Sequence, residues 1–219
     1  MQEWGVQGHE SISNKGGEAP ELLPFRGRDH DLGDRHLSRL TAERLKIFSD
    51  GSLGAETAAI RKVANQSVGF RDKEQRDDTM TGVLIHSTSS LINQISLAIH
   101  NKWRLEVHAI GDSSAEQVIF CLEEGYKQQD VDINDSRPVL THCQVLGSDL
   151  IERMAANGIV ANVQPSFVPT DMKWVQQRLS QEHLPYAYCW KTLMKHGVVV
   201  AGGSDAPIES CNPFSGIHD

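Results

Sequence analysis

A parallel α/β sheet, wound as part of an eight-stranded (β/α)8 barrel, is the fold class this sequence predicts. Two observations predict it. Short β-branched or apolar runs alternate with amphipathic helical stretches from about Leu45 onward, and that order gives parallel strands joined by right-handed crossovers. Three of those runs also end on a chemically active side chain, His108, His142 and Asp205. In parallel α/β folds the C-terminal strand end is where chemistry sits.

The elements follow in order. Residues 1–40 carry few apolar positions and no period, and read as a weakly ordered extension or loop; residues 41–219 read as the barrel domain. Leu45-Lys46-Ile47-Phe48 is a short strand, ended by the turn residues Ser49-Asp50-Gly51-Ser52. From Lys62 to Met80 the pattern lapses into a charged connection, expected as a surface excursion. Ser87-Thr88-Ser89-Ser90 supplies N-cap residues for a helix whose apolar face is Leu91, Ile92, Ile95, Leu97, Ala98 and Ile99. Arg104 to His108 is the next strand, and Ser113 or Ser114 is expected to cap the helix that buries Val118, Ile119, Cys121 and Leu122.

Pro138 to His142 is again a strand, and Ser148 to Asn157 a helix closed by Gly158. Ile159 to Val163 is a strand stopped by Pro165, and Tyr186 to His196 a helix closed by Gly197. Val198-Val199-Val200-Ala201-Gly202-Gly203-Ser204-Asp205 then climbs as a buried strand to one carboxylate. Asn212 to Asp219 reads as the opening of a further helix. A βα unit of a closed barrel occupies about 30 residues, so His142 lies one unit after His108 and Asp205 two units after His142. Five strands are visible where a closed barrel needs eight, as expected of the middle and later part of a larger barrel.

Composition narrows the function. The 219 residues carry a formal net charge of −8, which argues against a nucleic-acid or anionic-membrane partner. No apolar run reaches the ~20 residues that span a bilayer. The four cysteines are scattered without a CxxC pair, and read as reduced thiols in a cytoplasmic protein.

Imidazoles and carboxylates are nitrogen and oxygen ligands of zinc and related divalent ions. Such an ion brings the pKa of water down to about 7, and an aspartate beside it can orient that water and manage its proton. His108, His142 and Asp205 have the chemistry for this. The alternatives by residue type are hydrogen-bonded core histidines and a turn or N-cap aspartate. Cys143, next to His142 on a strand, points to the other face and reads as packing.

The neighbouring words carry a resemblance. His108-Ala109-Ile110-Gly111-Asp112, Thr141-His142-Cys143-Gln144, Val163-Gln164-Pro165 and Gly203-Ser204-Asp205-Ala206-Pro207 occur in an order that resembles the amidohydrolase superfamily, and within it the YtcJ-like, N-substituted formamide deformylase-like branch. Lys46-Ile47-Phe48-Ser49-Asp50-Gly51-Ser52-Leu53-Gly54 is similar to that branch's fourth-strand motif, and Asp171-Met172-Lys173-Trp174 and Asn212-Pro213 to its later ones. The resemblance implies a partial TIM-like barrel of the metal-dependent hydrolase type, about strands 4 to 8, with one or two divalent metals, zinc foremost, and hydrolysis of an amide- or formamide-type C–N bond.

By position, the resemblance implies that His108 and His142 are metal ligands, and that Asp205 binds metal and serves the attacking water. Lys46 is similar in position to a lysine that bridges two ions once carboxylated; by residue type alone the favoured reading is a buried lysine in an ion pair. Asp50, Asp112, Gln164 and Trp174 are implied near the mouth, as substrate contacts or supports behind the ligands. Three positions depart from the branch. No His-x-His pair exists in the chain, so the first metal position lacks its ligands here; Thr141 stands where Glu is usual, and Ser113 where Arg is common. The second expectation is therefore a catalytically incompetent barrel fragment that binds metal weakly or acts through association, its open sheet edges inviting a homo-oligomer.

Overall fold

The computed structural model of the chain describes residues 44–62 and 80–219. The extension expected over residues 1–40, and the charged connection between Lys62 and Met80, lie outside the described residues. In chain order come β1 (Arg44–Phe48), β2 (Ile60–Arg61), β3 (Met80–Thr81), α1 (Thr88–His100), β4 (Arg104–Ala109) and α2 (Asp112–Gln128). They are followed by α3 (Ile133–Ser136), β5 (Val139–His142), α4 (Ser148–Ala156) and β6 (Val160–Val163). The last elements are α5 (Phe167–Asp171), α6 (Val175–Arg178), a 3-10 turn at Leu184–Tyr186, α7 (Trp190–Lys195), β7 (Val200–Gly202) and α8 (Pro213–His218).

Five strands form one sheet in the order β1-β4-β5-β6-β7, each neighbouring pair parallel. Strand order equal to chain order, with a helical crossover between each pair, is the winding of a barrel wall rather than of a doubly wound sheet. The period-2 alternation of the strands sorts the side chains. Ile47, Leu105, Val107, Leu140, Ala161 and Val163 join the main core with Leu91, Ile95, Val118, Ile119, Leu150, Ile151, Met154 and Leu193 of the helices. The other, concave face presents Lys46, Glu106, Thr141 and Asn162, which meet one another there.

Local signals explain the helices. The Ser87 hydroxyl accepts from the Ser90 amide at 3.2 Å, capping α1 as expected. Gly158 (φ +60°) and Gly197 (φ +84°) follow α4 and α7 in the left-handed conformation that ends a helix, as their positions predict. Asn212 caps α8 through its side chain.

Three expectations need correction. The expected caps Ser113 and Ser114 do not cap α2, which starts at Asp112 after Gly111 with no side-chain cap. Ser114 is engaged instead with Ser49, Oγ to Oγ at 2.6 Å, which ties β1 to α2. The helix expected from Tyr186 begins only at Trp190. Tyr188 breaks it with φ +49°, because its amide bonds the Gln144 carbonyl and its hydroxyl donates to Asp171. The final strand is shorter and more open than a buried run: Val198 is in the core, but Val199 is 50% exposed and Ala201 and Gly202 are exposed. β7 has a neighbour on one side only within the described sheet. The short helices α5 and α6 and the antiparallel pair β2–β3 were not foreseen.

A second apolar cluster sits over the C-terminal ends of the strands. Leu53, Ala58, Ile60, Ile110, Val145, Val175 and Leu179 form it, with Trp174 and Tyr188 against it. Loops after β1, β4, β5 and β6 thus share one small core, and this fixes the backbone around the residues described next.

Candidate metal centre at the ends of β4 and β5

His108 is the fifth residue of β4 and lies opposite Phe48 and Thr141 in register, so its ring stands on the concave face. His142 is the last residue of β5 and lies opposite Ala109, which faces the helices. A regular strand would send both of those side chains the same way. Instead His142 has φ +82° and Cys143 φ +48°, backbone values that side chains other than glycine rarely adopt. The turn brings the His142 ring to 4.4 Å from the His108 ring, edge-on at 74°. Cys143 is left in the core as expected, where burial pushes its thiol up and away from reactivity.

Each imidazole has one nitrogen tied to an oxygen. His108 Nε2 lies 2.9 Å from the Gly51 carbonyl and 3.2 Å from Asp50 Oδ1. His142 Nδ1 lies 2.8 Å from Gln164 Oε1, whose own amide donates to the Asn162 carbonyl at 3.3 Å. Carbonyl and amide oxygens only accept, so each bond makes that ring nitrogen the donor and leaves a lone pair on the other nitrogen of the neutral ring. On His108 the remaining nitrogen, Nδ1, is buried without a hydrogen-bond partner. Burial pushes His142 down to about 4, reinforced by the His108 and Lys46 charges and opposed by Gln164 and Asp205. This is the pattern of metal-binding histidines, in which the far N–H is held by an oxygen.

The other predicted residues are placed as follows. Asp205 is exposed, with φ +53°, three residues beyond the end of β7, and its charge reaches His142. Lys46 Nζ lies 2.9 Å from Glu106 Oε1 on the concave face, an ion pair in which the ammonium has no lone pair to offer. Asp50 lies beneath the site, with no side-chain exposure. It accepts from the Ile110 amide at 3.1 Å, the Gly111 amide at 2.9 Å and the Ala59 amide at 3.0 Å. Asp112, also buried, accepts from the Arg61 amide at 2.8 Å and the Ser113 amide at 3.0 Å, and its Oδ2 lies 3.5 Å from His183 Nε2. Trp174 is half-buried in the loop core against Gly54.

These positions show two of the expected ligands meeting. Among the described residues no three His, Cys, Asp or Glu side chains converge on a point that would hold a metal. The donor chemistry of His108 and His142, with the orphaned Nδ1, fits two nitrogen ligands of a divalent cation. Asp50 and Gln164 fit supports behind those ligands. Gly111 shows how tightly this support is built: a Cβ there would lie 2.0 Å from the Ala59 carbonyl oxygen.

Two groupings were not foreseen. Glu106, two residues before His108 on the same strand face, accepts from Lys46, from Thr141 at 2.7 Å and from Asn162 at 3.5 Å. Burial pushes its carboxyl up, but those bonds and the Lys46 charge outweigh that and hold it below its ordinary value. Its parity with His108 was the available signal. His183, set aside by sequence, bridges Asp112 and the Ser180 hydroxyl, the latter at 2.8 Å. The Ser180 contact is local, but no local pattern joins His183 to Asp112.

Parallel βα units in chain order and helices on one face define a (β/α)8-barrel segment, represented by five strands among the described residues. The chain belongs to the Amidohydrolase family, whose profile matches residues 18–219. It is 38% identical over 174 residues to the provisionally named amidohydrolase YtcJ of Bacillus subtilis (strain 168), a match covering 80% of this chain and 30% of that protein. It is 28% identical over 175 residues to the protein LONG AFTER FAR-RED 3 of Arabidopsis thaliana, covering 80% and 28% respectively. Among solved structures, an uncharacterized metal-dependent hydrolase from Pyrococcus furiosus matches with a TM-score of 0.62 at 25% identity, over 79% of this chain and 32% of that one. The chain spans about a third of the length of the relatives it matches.

Proposed function

We propose that the chain carries part of the active site of a metal-dependent hydrolase acting on an amide- or formamide-type C–N bond of a small molecule. The carrying observation is the His108–His142 pair, each ring pinned by an oxygen on one nitrogen and with a lone pair on the other, one of them buried and unpartnered. In this reading His108 and His142 hold a divalent cation, for which zinc is the apt choice with nitrogen donors. When bound, that cation polarises a carbonyl and lowers the pKa of water.

The chain's own residues do the rest. Gly51 and Asp50 hold the His108 ring, and Gln164 holds the His142 ring, so that neither can rotate its lone pair away. Asp205, on the loop after β7, takes a proton on a carboxylate oxygen from the attacking water and delivers it to the leaving nitrogen. Glu106 holds the Lys46 ammonium in an ion pair on the concave face. The four free cysteines support a reducing setting, with the cytoplasm the compartment proposed.

The test is metal content and turnover of the purified chain. Expected are a retained divalent cation, lost in His108→Ala and His142→Ala, and hydrolysis of an N-formyl or N-acyl amine that disappears in Asp205→Asn. Metal content unchanged in both histidine variants refutes the site. A second reading, a chain that binds metal weakly and acts by self-association, is favoured by the outer strands β1 and β7 and by Phe48, 55% exposed, and Val199, 50% exposed. Bound metal without turnover, in a chain that elutes as an oligomer, selects it.

A further inference from the structure

At the ends of the strands opposite His108 and His142, a cleft of about 400 Å³ opens, and three arginines line it: Arg44, Arg104 and Arg137. Arg44 and Arg104 begin β1 and β4 and are register partners, so two like charges stand side by side across adjacent parallel strands. Like charges directly opposite on neighbouring strands destabilise a sheet. Arg137 joins them from the turn after α3, where it adopts φ +47°.

Among the described residues, the carboxylates nearby do not fully neutralise this group. Glu106 lines the cleft and is shared by two cations, Lys46 Nζ at 2.9 Å from its Oε1 and Arg44 Nε at 3.9 Å from its Oε2. Among the described residues, Arg44, Arg104, Arg137 and Lys46 thus face Glu106 and Asp135, an excess of two positive charges in a chain of net charge −8. Arg44 donates to the Leu105 carbonyl at 3.4 Å, which satisfies one N–H without cancelling charge. The Asn162 side chain adds a neutral polar group to the wall. Guanidinium forks match the oxygens of phosphate and carboxylate groups in paired hydrogen bonds.

We infer that this cleft binds a small doubly charged oxyanion of the phosphate class, held by Arg44, Arg104 and Arg137. A bound dianion cancels the local excess and turns the cross-strand repulsion into a shared contact. The site stands on its own residues and does not depend on the metal reading.

Inorganic phosphate is the probe, titrated into the 219-residue chain at constant ionic strength with chloride as the balancing anion. The expected result is a saturable rise in melting temperature and a matching isotherm by calorimetry. In Arg104→Gln and Arg137→Gln the affinity falls at least about tenfold, the loss of one charge-assisted pair. Lys191→Gln, an exposed lysine on α7, serves as the control and leaves the affinity unchanged. In chloride alone Arg104→Gln melts no lower than the parent, because it removes a like-charge neighbour of Arg44 rather than an ion-pair partner. A non-saturating rise of equal size in parent and variants, or no rise at all, overturns the inference. So does a parent-like phosphate affinity in the Arg104→Gln, Arg137→Gln double variant.

Discussion

Removing the Asp50 carboxylate puts the proposed scaffold of the metal centre under direct test. Asp50 has no side-chain exposure, and three backbone amides donate to it at 2.9–3.1 Å: Ala59 from the loop after β1, and Ile110 and Gly111 from the turn after β4. Hydrogen bonds to a charged group contribute about 1.5–3 kcal/mol each, so three independent bonds give an upper bound of roughly 5–9 kcal/mol. All three end on one carboxylate and relax together, so the sum falls somewhat below that range, and Asp50→Ala is expected to cost about 4 kcal/mol. At 2–4 °C per kcal/mol for a chain of this size, the melting temperature falls by roughly 8–16 °C. Asp50→Asn keeps the shape but turns one acceptor into a donor, and falls between parent and Asp50→Ala. Urea denaturation followed by far-ultraviolet circular dichroism reads both. A loss below about 1 kcal/mol in Asp50→Ala, or an Asn variant equal to the parent, refutes the claim that this carboxylate holds the two loops together.

Three further outcomes follow from the same geometry. The Asp112 carboxylate, against the opposing pull of burial and with help from the Arg61 backbone and the Glu182 charge, holds His183 above its ordinary value. A raised folded-state pKa means stability that is full below the unfolded value of about 6.5 and is lost as pH rises through the folded value. The pH dependence of the melting temperature just above pH 6.5 is therefore expected to flatten in His183→Gln, and an unchanged profile removes the pair from the account. Leu150→Ala on α4, at a fully buried position, is expected to cost about 2–5 kcal/mol in denaturant melts. Ser87→Ala removes the α1 cap and is expected to cost about 1 kcal/mol, an effect that Ser87→Asp restores.

The alternation of strand and helix was legible because each element obeys its own period, and the termini read from Ser87, Gly158 and Gly197 hold in the structure. What failed was local cause overridden by distant partners. Ser114 looks like an N-cap until Ser49, 65 residues earlier, takes its hydroxyl. Tyr188 reads as helix until Gln144 and Asp171 draw it out. The Val198 run reads as a buried strand because composition does not say how many neighbours a strand has.

The candidate site divides along the same line. His108 was readable as a concave-face residue from strand parity alone, and Glu106 shares that parity. His142 was named for its position at a strand end, but period-2 alternation opposite Ala109 would aim it at the helices, and only the positive φ at His142 and Cys143 turns it toward His108. A backbone departure of that kind is costly for a β-branched or bulky residue and persists where surrounding contacts enforce it. Here the contacts are the Gln164 bond to the ring, the Cys143 amide on the Ala109 carbonyl at 3.2 Å and the burial of Cys143 in the core. The sheet thus gives up one regular strand position so that two imidazoles from neighbouring strands stand on the same face, and that exchange ties the fold to the proposed chemistry.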